Sequence, residues 1–251
     1  MSKEKTTELL DLLPEIKAYI LKKFSIINFK TLVILRSISK EMTQFFDAHV
    51  LPSIFIQVAF YPTKDWANFL AYCKLNNLNH NICHLDLTLT DPIEFSVLSN
   101  TFPNLESLFY STNNFALTDI NELGKFTKLK NLTLKADNFT DLKFLSSLTN
   151  LESLCIHRGF PIDNWYKLTC LTKLKQLDIL VPLPHETTRE YKDLVMILTK
   201  MVITQELDLH AQKSLMEDVM KKVKELDCLP YNSKRNSVEK SGVLNLNEKE
   251  R

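Results

Sequence analysis

One short pattern of apolar residues recurs five times in the middle of the chain. Apolar side chains stand at its first, fourth and sixth positions, with mostly polar ones between them. The first positions fall at residues 82, 105, 129, 151 and 174, so successive copies are 23, 24, 22 and 23 residues apart. The copies are Ile82-x-x-Leu85-x-Leu87, Leu105-x-x-Leu108-x-Tyr110, Leu129-x-x-Leu132-x-Leu134, Leu151-x-x-Leu154-x-Ile156 and Leu174-x-x-Leu177-x-Ile179. The alternation that ends each copy predicts a short strand with one buried face.

The segments between these copies carry a second apolar pattern. Each contains three apolar residues separated by three or four positions, which places them on one face of a helix or helical turn. The triplets are Phe95, Leu98 and Phe102; Ile120, Leu123 and Phe126; Leu142, Leu145 and Leu148; Trp165, Leu168 and Leu171. We expect these helical segments to cover the apolar side of a sheet that the strands form.

This combination resembles the leucine-rich repeat, in which each unit adds one short strand to a parallel sheet. The family often has Asn or Cys three residues after the last strand leucine, and Asn113 and Asp137 are similar residues at that place. The resemblance covers roughly residues 80–185. It implies stacked repeats whose polar strand face binds another macromolecule.

The first fifty residues do not follow the repeat. Leu13, Ile16, Ile20 and Phe24 lie three or four residues apart and predict one apolar helical face. A second helix is expected to start after Asn28, because Asn is a favourable N-cap residue. The residues just before Asn28 are then a short connection between two packed helices.

These helices resemble an F-box, which runs as Leu-Pro, an acidic residue, two turns of apolar positions and then Leu-Arg-x-Val-Ser-Lys. The chain has Leu13-Pro14-Glu15-Ile16 and Leu35-Arg36-Ser37-Ile38-Ser39-Lys40 at the matching places. The resemblance implies docking onto the Skp-type adaptor of a cullin–RING ubiquitin ligase. Carried over by position, the adaptor-facing residues would be Leu13, Pro14, Ile16, Ile20, Leu32, Leu35 and Ile38. The same helices also fit a simpler role, as a cap that shields the end of a repeat stack.

The predicted fold class is α+β, with an N-terminal helical F-box-like unit followed by a leucine-rich-repeat solenoid. Residues 54–60 predict a strand, and a helix is expected from Asp65. After the fifth copy, we expect a helix around Tyr191 and Leu198 and a sixth strand within residues 206–209. A closing helix should carry Leu215, Val219, Val223 and Leu226 on one face. The predicted domains are a helical unit over 1–50, a linker and cap over 51–79, repeats with a capping helix over 80–228 and a disordered tail over 229–251.

Charge and composition narrow the function classes. The chain has 31 basic and 30 acidic residues, and this balance predicts binding to neither nucleic acid nor membrane. Its most apolar run, from Leu51 to Tyr61, is too short to span a bilayer. Five cysteines without a Cys-x-x-Cys pair favour free thiols in a reducing cytosol, so we predict a cytoplasmic protein. Only three glycines occur, far apart, and a phosphate-binding loop is therefore not expected.

Two small groups of residues could in principle carry chemistry. His80, Cys83 and His84 are close in sequence, but no second ligand pair follows at a spacing typical of zinc sites. Cys155 and His157 face the same side of one predicted strand, with an aspartate on the neighbouring strand. An open strand face supplies no enclosed pocket for a reaction. We predict no catalytic residue, no metal ion and no cofactor.

The polar positions between the strand leucines predict the partner-binding surface, which we name the outward strand face. Phe109 is exceptional there, because it is a large aromatic residue where polar residues are the rule. An exposed aromatic ringed by polar groups is typical of a binding hot spot, whereas packing of the ring against a loop is the alternative. The predicted partner-binding residues are His84, Asp86, Ser107, Phe109, Asn131, Thr133, Lys135, Ser153, Cys155, His157, Gln176 and Asp178.

These features together predict a protein that is not an enzyme. The F-box resemblance implies a substrate-recognition subunit of a cullin–RING ubiquitin ligase, with a Skp-type adaptor, a cullin and an unknown target protein as partners. One alternative is a leucine-rich-repeat scaffold or binding protein without a role in ubiquitination. Another is a secreted bacterial effector that acts in the host cytosol and uses host ubiquitination.

Overall fold

The computed structural model describes residues 26–37, 40–60, 64–89, 93–112, 119–136, 139, 141–158 and 162–227. The chain divides into two compact units, Met1–Phe139 and Thr140–Arg251. The division falls inside the segment predicted as repeats, and the predicted boundaries at residues 50 and 79 stay predictions. Outside the described ranges lie Leu13, Pro14, Ile16, Ile20, Phe24, Ile38, Asn113, Asp137 and the predicted tail over 229–251.

The described part of the first unit alternates strands with helical segments. Its strands are β1 (Ile26–Asn28), β2 (Phe55–Phe60), β3 (His84–Leu89), β4 (Ser107–Thr112) and β5 (Asn131–Lys135). Its helices are α1 (Phe29–Arg36), α2 (Lys40–Phe45), a π-helix Phe46–Val50, a 3-10 helix Leu51–Ser53, α3 (Lys64–Leu75), α4 (Phe95–Thr101) and a 3-10 helix Ile120–Lys125. Helical chain between consecutive strands lets each strand start again at the same end of the sheet, as parallel pairing requires.

Consecutive strands of this unit pair in parallel, and their register aligns the apolar positions of the repeat. Leu85 pairs with Leu108, and Leu108 pairs with Leu132, so the three side chains form one row. Leu87 and Tyr110 pair in the next row. None of the five side chains is more than 2% exposed. The inward direction that the sequence predicts for these strand positions is therefore confirmed.

Helical segments cover the leucine side of the sheet. Phe95, Leu98 and Phe102 are fully buried on and just after α4, as their spacing predicts. The ring of Phe95 lies edge-on to that of Tyr110, with the ring centroids 5.0 Å apart. In the next repeat a 3-10 helix replaces the α-helix, and Ile120 is only half-buried. A 3-10 helix gains more length per residue than an α-helix, so a short segment still returns the chain along the strand.

One expectation for the N-terminal region is wrong. The residues just before α1 form strand β1, which pairs with β2, instead of a plain connection between helices. Ile27 is buried while its neighbour Ile26 is 56% exposed, as the alternation of a strand requires. Asn28 is the predicted N-cap, because its Oδ1 accepts a hydrogen bond from the backbone N–H of Thr31 at 2.8 Å. The N-terminal region thus extends the sheet as well as supplying helices.

A partly buried ion pair fixes the end of α1. The Arg36 guanidinium donates to both carboxylate oxygens of Asp47 at 2.8 and 2.9 Å, and to the hydroxyl of Tyr72 at 2.9 Å. Only 7% of the Arg36 side chain is exposed. Leu32, predicted to face an adaptor, is fully buried within the chain, and Leu35 is half-buried. The structure therefore corrects the role of Leu32, which packs inside the first unit.

The second unit repeats the same construction. Its strands are β6 (Ser153–His157), β7 (Gln176–Leu180) and β8 (Asp208–His210). Its helices are the 3-10 helices Lys143–Ser147 and Trp165–Cys170, then α5 (Arg189–Gln205) and α6 (Lys213–Asp227). The strands pair in parallel and align Leu154, Leu177 and Leu209, each at most 2% exposed. Two of the predicted triplets are fully or almost fully buried here, on 3-10 helices rather than α-helices.

The last strand and helix of this unit differ slightly from the sequence-based expectation. Glu206 ends α5 with a positive φ of 54°, and β8 begins only at Asp208. Leu215 is fully buried on α6, whereas Leu226 is 40% exposed and does not belong to the buried face. Among the described residues, no helix combines the length and the apolar character needed to cross a membrane.

We expect Leu132→Ala to lower the free energy of unfolding by about 2–5 kcal/mol, because it leaves a cavity in the buried row that Leu132 of β5 forms with Leu85 and Leu108. Chemical denaturation followed by circular dichroism measures the change. Asn131→Ala is the matched control on the neighbouring, exposed position, where losing one hydrogen bond should cost less than about 1 kcal/mol. Equal unfolding midpoints for the two variants would contradict the inward placement of Leu132.

Candidate partner-binding site

The outward strand face of the first unit lies opposite the leucine rows on β2 to β5. The parallel register arranges its side chains in rows that run across the strands. The middle row consists of Gln57, Asp86, Phe109 and Thr133, and the row before it of Phe55, His84, Ser107 and Asn131. Lys135 lies one row further on, beside Ser111. The predicted partner-binding residues of this unit therefore share one face.

Phe109 is half-buried in the middle of this face. The ammonium nitrogen of Lys135 lies 5.2 Å from the centroid of its ring, within the range of a cation–π interaction. Lys135 is itself exposed. The two side chains together form a patch with an aromatic centre and a positive edge, surrounded by polar side chains of the same face.

Asp86 lies beside Phe109 on the neighbouring strand. Its Oδ2 accepts a hydrogen bond from Gln57 Nε2 at 3.2 Å, and its Oδ1 accepts one from Thr88 Oγ1 at 3.5 Å. Burial raises the pKa of Asp86, while these two hydrogen bonds and the charge of Lys135 oppose the rise. The carboxylate is thus partly desolvated, and a cation brought close to it would favour its charged form.

The row before Phe109 is more covered than the sequence predicts. Ser107 is only 2% exposed, and its Oγ accepts a hydrogen bond from Asn131 Nδ2 at 3.0 Å. The His84 ring lies 5.2 Å from that of Phe55, and its Nε2 is 3.1 Å from the carbonyl oxygen of Pro52. Burial lowers the pKa of His84. Ser107 therefore supports the face from within, which corrects its predicted role as a contact residue.

The second unit has its own outward strand face on β6 to β8. The register places Cys155 beside Asp178 and Asp178 beside His210 in one row. His157 pairs instead with Leu180. A Cys–His–Asp relay needs the carboxylate to orient the histidine that activates the thiol. The arrangement considered from the sequence is therefore not assembled, because the aspartate aligns with the cysteine and not with His157.

Acidic and imidazole groups of β7 and β8 dominate this second face. Burial raises the pKa of Asp178, with His210 opposing the rise and Asp208 adding to it. His210 Nε2 lies 3.3 Å from Asp208 Oδ1. Ser153 and Gln176 pair in the row before Asp178, where Gln176 is exposed and Ser153 is half-buried. The predicted residues of this unit also share one face.

The His80, Cys83 and His84 group does not converge as a set of metal ligands. Cys83 Sγ points at the backbone oxygen of Asn81, 3.8 Å away. Burial raises the pKa of Cys83, which disfavours the thiolate that a metal ion would need. In the ranges that the structure describes, no three His, Cys, Asp or Glu side chains are placed to hold a metal ion.

Sequence reasoning missed two residues of these faces. Gln57 belongs to the Phe109 row because β2 pairs with β3, and His210 joins the Asp178 row because β8 pairs with β7. The strand predicted over residues 54–60 carries the same alternation, at Ile54, Ile56 and Val58, and could have been counted as one more repeat strand. Both omissions arise because the flanking strands lack the full repeat phrase.

Parallel strands with a repeat of about 23 residues, aligned leucine rows and helical returns define a leucine-rich-repeat architecture. No family model and no curated protein matches the sequence. Among solved structures, an internalin from Listeria monocytogenes is 18% identical over 67% of this chain and 46% of its own length, with a TM-score of 0.40. An internalin C2 from the same bacterium is 17% identical over 68% of this chain and 69% of its own, with a TM-score of 0.40.

A leucine-rich-repeat protein from Leptospira interrogans is 16% identical over 70% of this chain and 49% of its own, with a TM-score of 0.39. The chain thus spans about half the length of the first internalin and of the Leptospira protein. The architectural assignment rests on the register and burial of this chain's own strands.

Asp86→Asn should raise the denaturation midpoint at neutral pH, and its advantage over the wild type should shrink in acid. Burial holds the folded-state pKa of Asp86 above its usual value of 3.8, so the folded state binds this proton more tightly than the unfolded state. The contribution of this protonation to the free energy of unfolding is fully present below pH 3.8 and is lost as the pH rises through the folded-state pKa. Denaturation curves at several pH values test this, and a difference that does not change with pH would contradict it.

Proposed function

We propose that this chain is a non-enzymatic recognition protein that binds a partner protein through the outward strand face of its first unit. The observation that carries the proposal is the position of Phe109. Its ring stands between Asp86 and Thr133 in a polar row, is half-buried, and has the Lys135 ammonium over it, 5.2 Å from the ring centroid. Aromatic residues in such surroundings are enriched at the centres of protein interfaces.

The strand that carries Phe109 is a rigid support for binding. Strand β4 pairs along its length with β3 and shares five aligned pairs with β5, so its backbone loses little freedom when a partner arrives. Its inward neighbours Leu108 and Tyr110 are buried, which fixes the direction of the ring. A phenylalanine has only two side-chain torsions to order, so its burial in an interface carries a small entropic cost.

Phe109→Ala should weaken binding of the partner by about 2 kcal/mol or more, which corresponds to roughly thirtyfold in Kd. The measurement is quantitative capture of lysate proteins on the immobilised chain, followed by titration of the captured partner. Lys135→Ala should weaken binding less, because it removes the positive edge of the patch and leaves the ring.

Lys125→Ala is the control for this experiment. Lys125 is an exposed lysine at the end of the 3-10 helix in the same unit, where it forms an ion pair with Glu122, away from the strand residues. Lysate proteins that Lys125→Ala captures as the wild type does, but that Phe109→Ala no longer captures, support the proposal. A partner that binds the wild type, Phe109→Ala and Lys125→Ala equally, or that is lost from Lys125→Ala as well, would place the binding surface elsewhere.

A substrate-recognition role in a cullin–RING ubiquitin ligase is the second candidate function. Its support is the sequence resemblance of residues 13–16 and 35–40 to an F-box. The adaptor, the cullin and the cytoplasmic location that this role implies stay predictions. Because Leu32 is buried in the first unit, an adaptor would contact the remaining resemblance residues, together with the exposed Ile34 of α1.

Replacing Leu13 and Pro14 together with Ala should abolish capture of a recombinant Skp-type adaptor, because the resemblance places both residues on the docking surface. The unfolding midpoint should stay near that of the wild type, and titration by fluorescence anisotropy measures the capture. Equal adaptor affinity for the double variant and the wild type, or no measurable affinity for either, would reject the ligase role. In both cases the N-terminal helices would act only as a cap of the repeats.

A further inference from the structure

Three neighbouring strands of the first unit present three chemically different groups on the same face. Strand β3 presents the Asp86 carboxylate, β4 presents the Phe109 ring, and β5 presents the Lys135 ammonium. Asp86 and Phe109 are directly paired across the strands, and Lys135 lies one row further along. A negative, an aromatic and a positive group therefore follow one another across the sheet in a fixed order.

The negative group is incompletely compensated by its surroundings. Asp86 accepts hydrogen bonds from the neutral groups of Gln57 and Thr88, at 3.2 and 3.5 Å. Among the described residues, no cation forms an ion pair with Asp86: the charge of Lys135 acts on Asp86, but its ammonium lies over the Phe109 ring. A cationic side chain of a partner that approached Asp86 would meet a carboxylate already partly stripped of water.

The positive group differs from the lysines nearest to it in sequence. Lys128 donates to Asn104 Oδ1 at 2.6 Å, and Lys130 donates to Glu106 Oε2 at 2.7 Å. These two lysines tie adjacent repeats to each other. Lys135 has no such partner among the described residues and rests on an aromatic ring. The N–H groups of its ammonium can therefore donate hydrogen bonds to a carboxylate of a partner.

The spacing of the three groups sets the size of the matching segment. Strands lie about 4.8 Å apart and residues about 3.3 Å apart along a strand, so the backbones at Asp86 and Lys135 are separated by roughly 12 Å. An extended peptide spans that distance with three to four residue steps of about 3.3 Å. A short, continuous piece of a partner chain is therefore long enough to reach both charges.

We infer, on the basis of the proposed function, that the partner presents a short extended segment with a basic, an apolar and an acidic side chain in that order. The basic side chain lies against Asp86, the apolar side chain packs on Phe109, and the acidic side chain pairs with Lys135. Charge complementarity fixes the direction of the segment across the strands, because the reverse direction puts like charges together at both ends.

A phage-displayed library of random peptides, selected on the full chain and counter-selected on Phe109→Ala, tests this inference. The enriched peptides should carry a basic and an acidic residue on opposite sides of an apolar one. Lys135→Glu should weaken the binding of a selected peptide by about tenfold or more, because it places a carboxylate next to the acidic side chain of the peptide. The exchange variant with Asp86→Lys and Lys135→Glu should enrich peptides of the opposite charge order.

Lys128→Ala is the matched control. Lys128 lies before β5, and its ammonium already donates a hydrogen bond to Asn104 Oδ1. It should leave the affinity of the selected peptides unchanged. If the exchange variant does not fold by circular dichroism, reversing the basic residue of a selected peptide to Glu tests the same contact on the wild-type chain. That reversal should also weaken binding about tenfold.

The outcomes separate this inference from the proposed function. Peptides that depend on Phe109 but show no charge order, or that tolerate both charge reversals, would overturn the inference and leave the recognition role intact. Failure to enrich any peptide would overturn it as well, while protein capture that depends on Phe109 would still support recognition. Failure of both experiments would overturn the recognition role itself.

Discussion

The architecture of both units depends on one constraint, which is that none of the described strands can bury its apolar side chains alone. Each strand is short, and its inward side chains leave water only when neighbouring strands align theirs in the same rows. Parallel register satisfies the backbone hydrogen bonds and the apolar rows together. Helical returns then cover these rows with triplets of apolar residues, all of which are buried except the half-buried Ile120.

The same constraint leaves the opposite strand face free to vary. A residue such as Phe109 or Asp86 contributes little to the leucine rows, so its chemistry is not dictated by folding. The register nevertheless holds such residues at fixed separations, because each is flanked by buried neighbours along its own strand. Preorganised side chains of this kind lose little entropy on binding, which is why a rigid repeat sheet suits recognition.

Polar contacts outside the strands reinforce the stack locally. Lys175 donates to Glu152 at 2.6 Å in the second unit, and Lys130 donates to Glu106 at 2.7 Å in the first. These pairs are substantially exposed, so each contributes little on its own. The Arg36 and Asp47 pair is more buried and bidentate, and it orients α1 against α3 through Tyr72.

The sequence by itself determined the repeat, its inward leucines, the helical triplets and the Asn28 cap, because each is a local pattern with a fixed structural period. It also singled out Phe109 as an aromatic residue in a polar series. Only the tertiary structure decided which outward residues are accessible. Ser107 is covered, Leu32 is internal, and Asp178 aligns with Cys155 and His210. Burial and register depend on neighbours that are distant in sequence, so no local pattern could specify them.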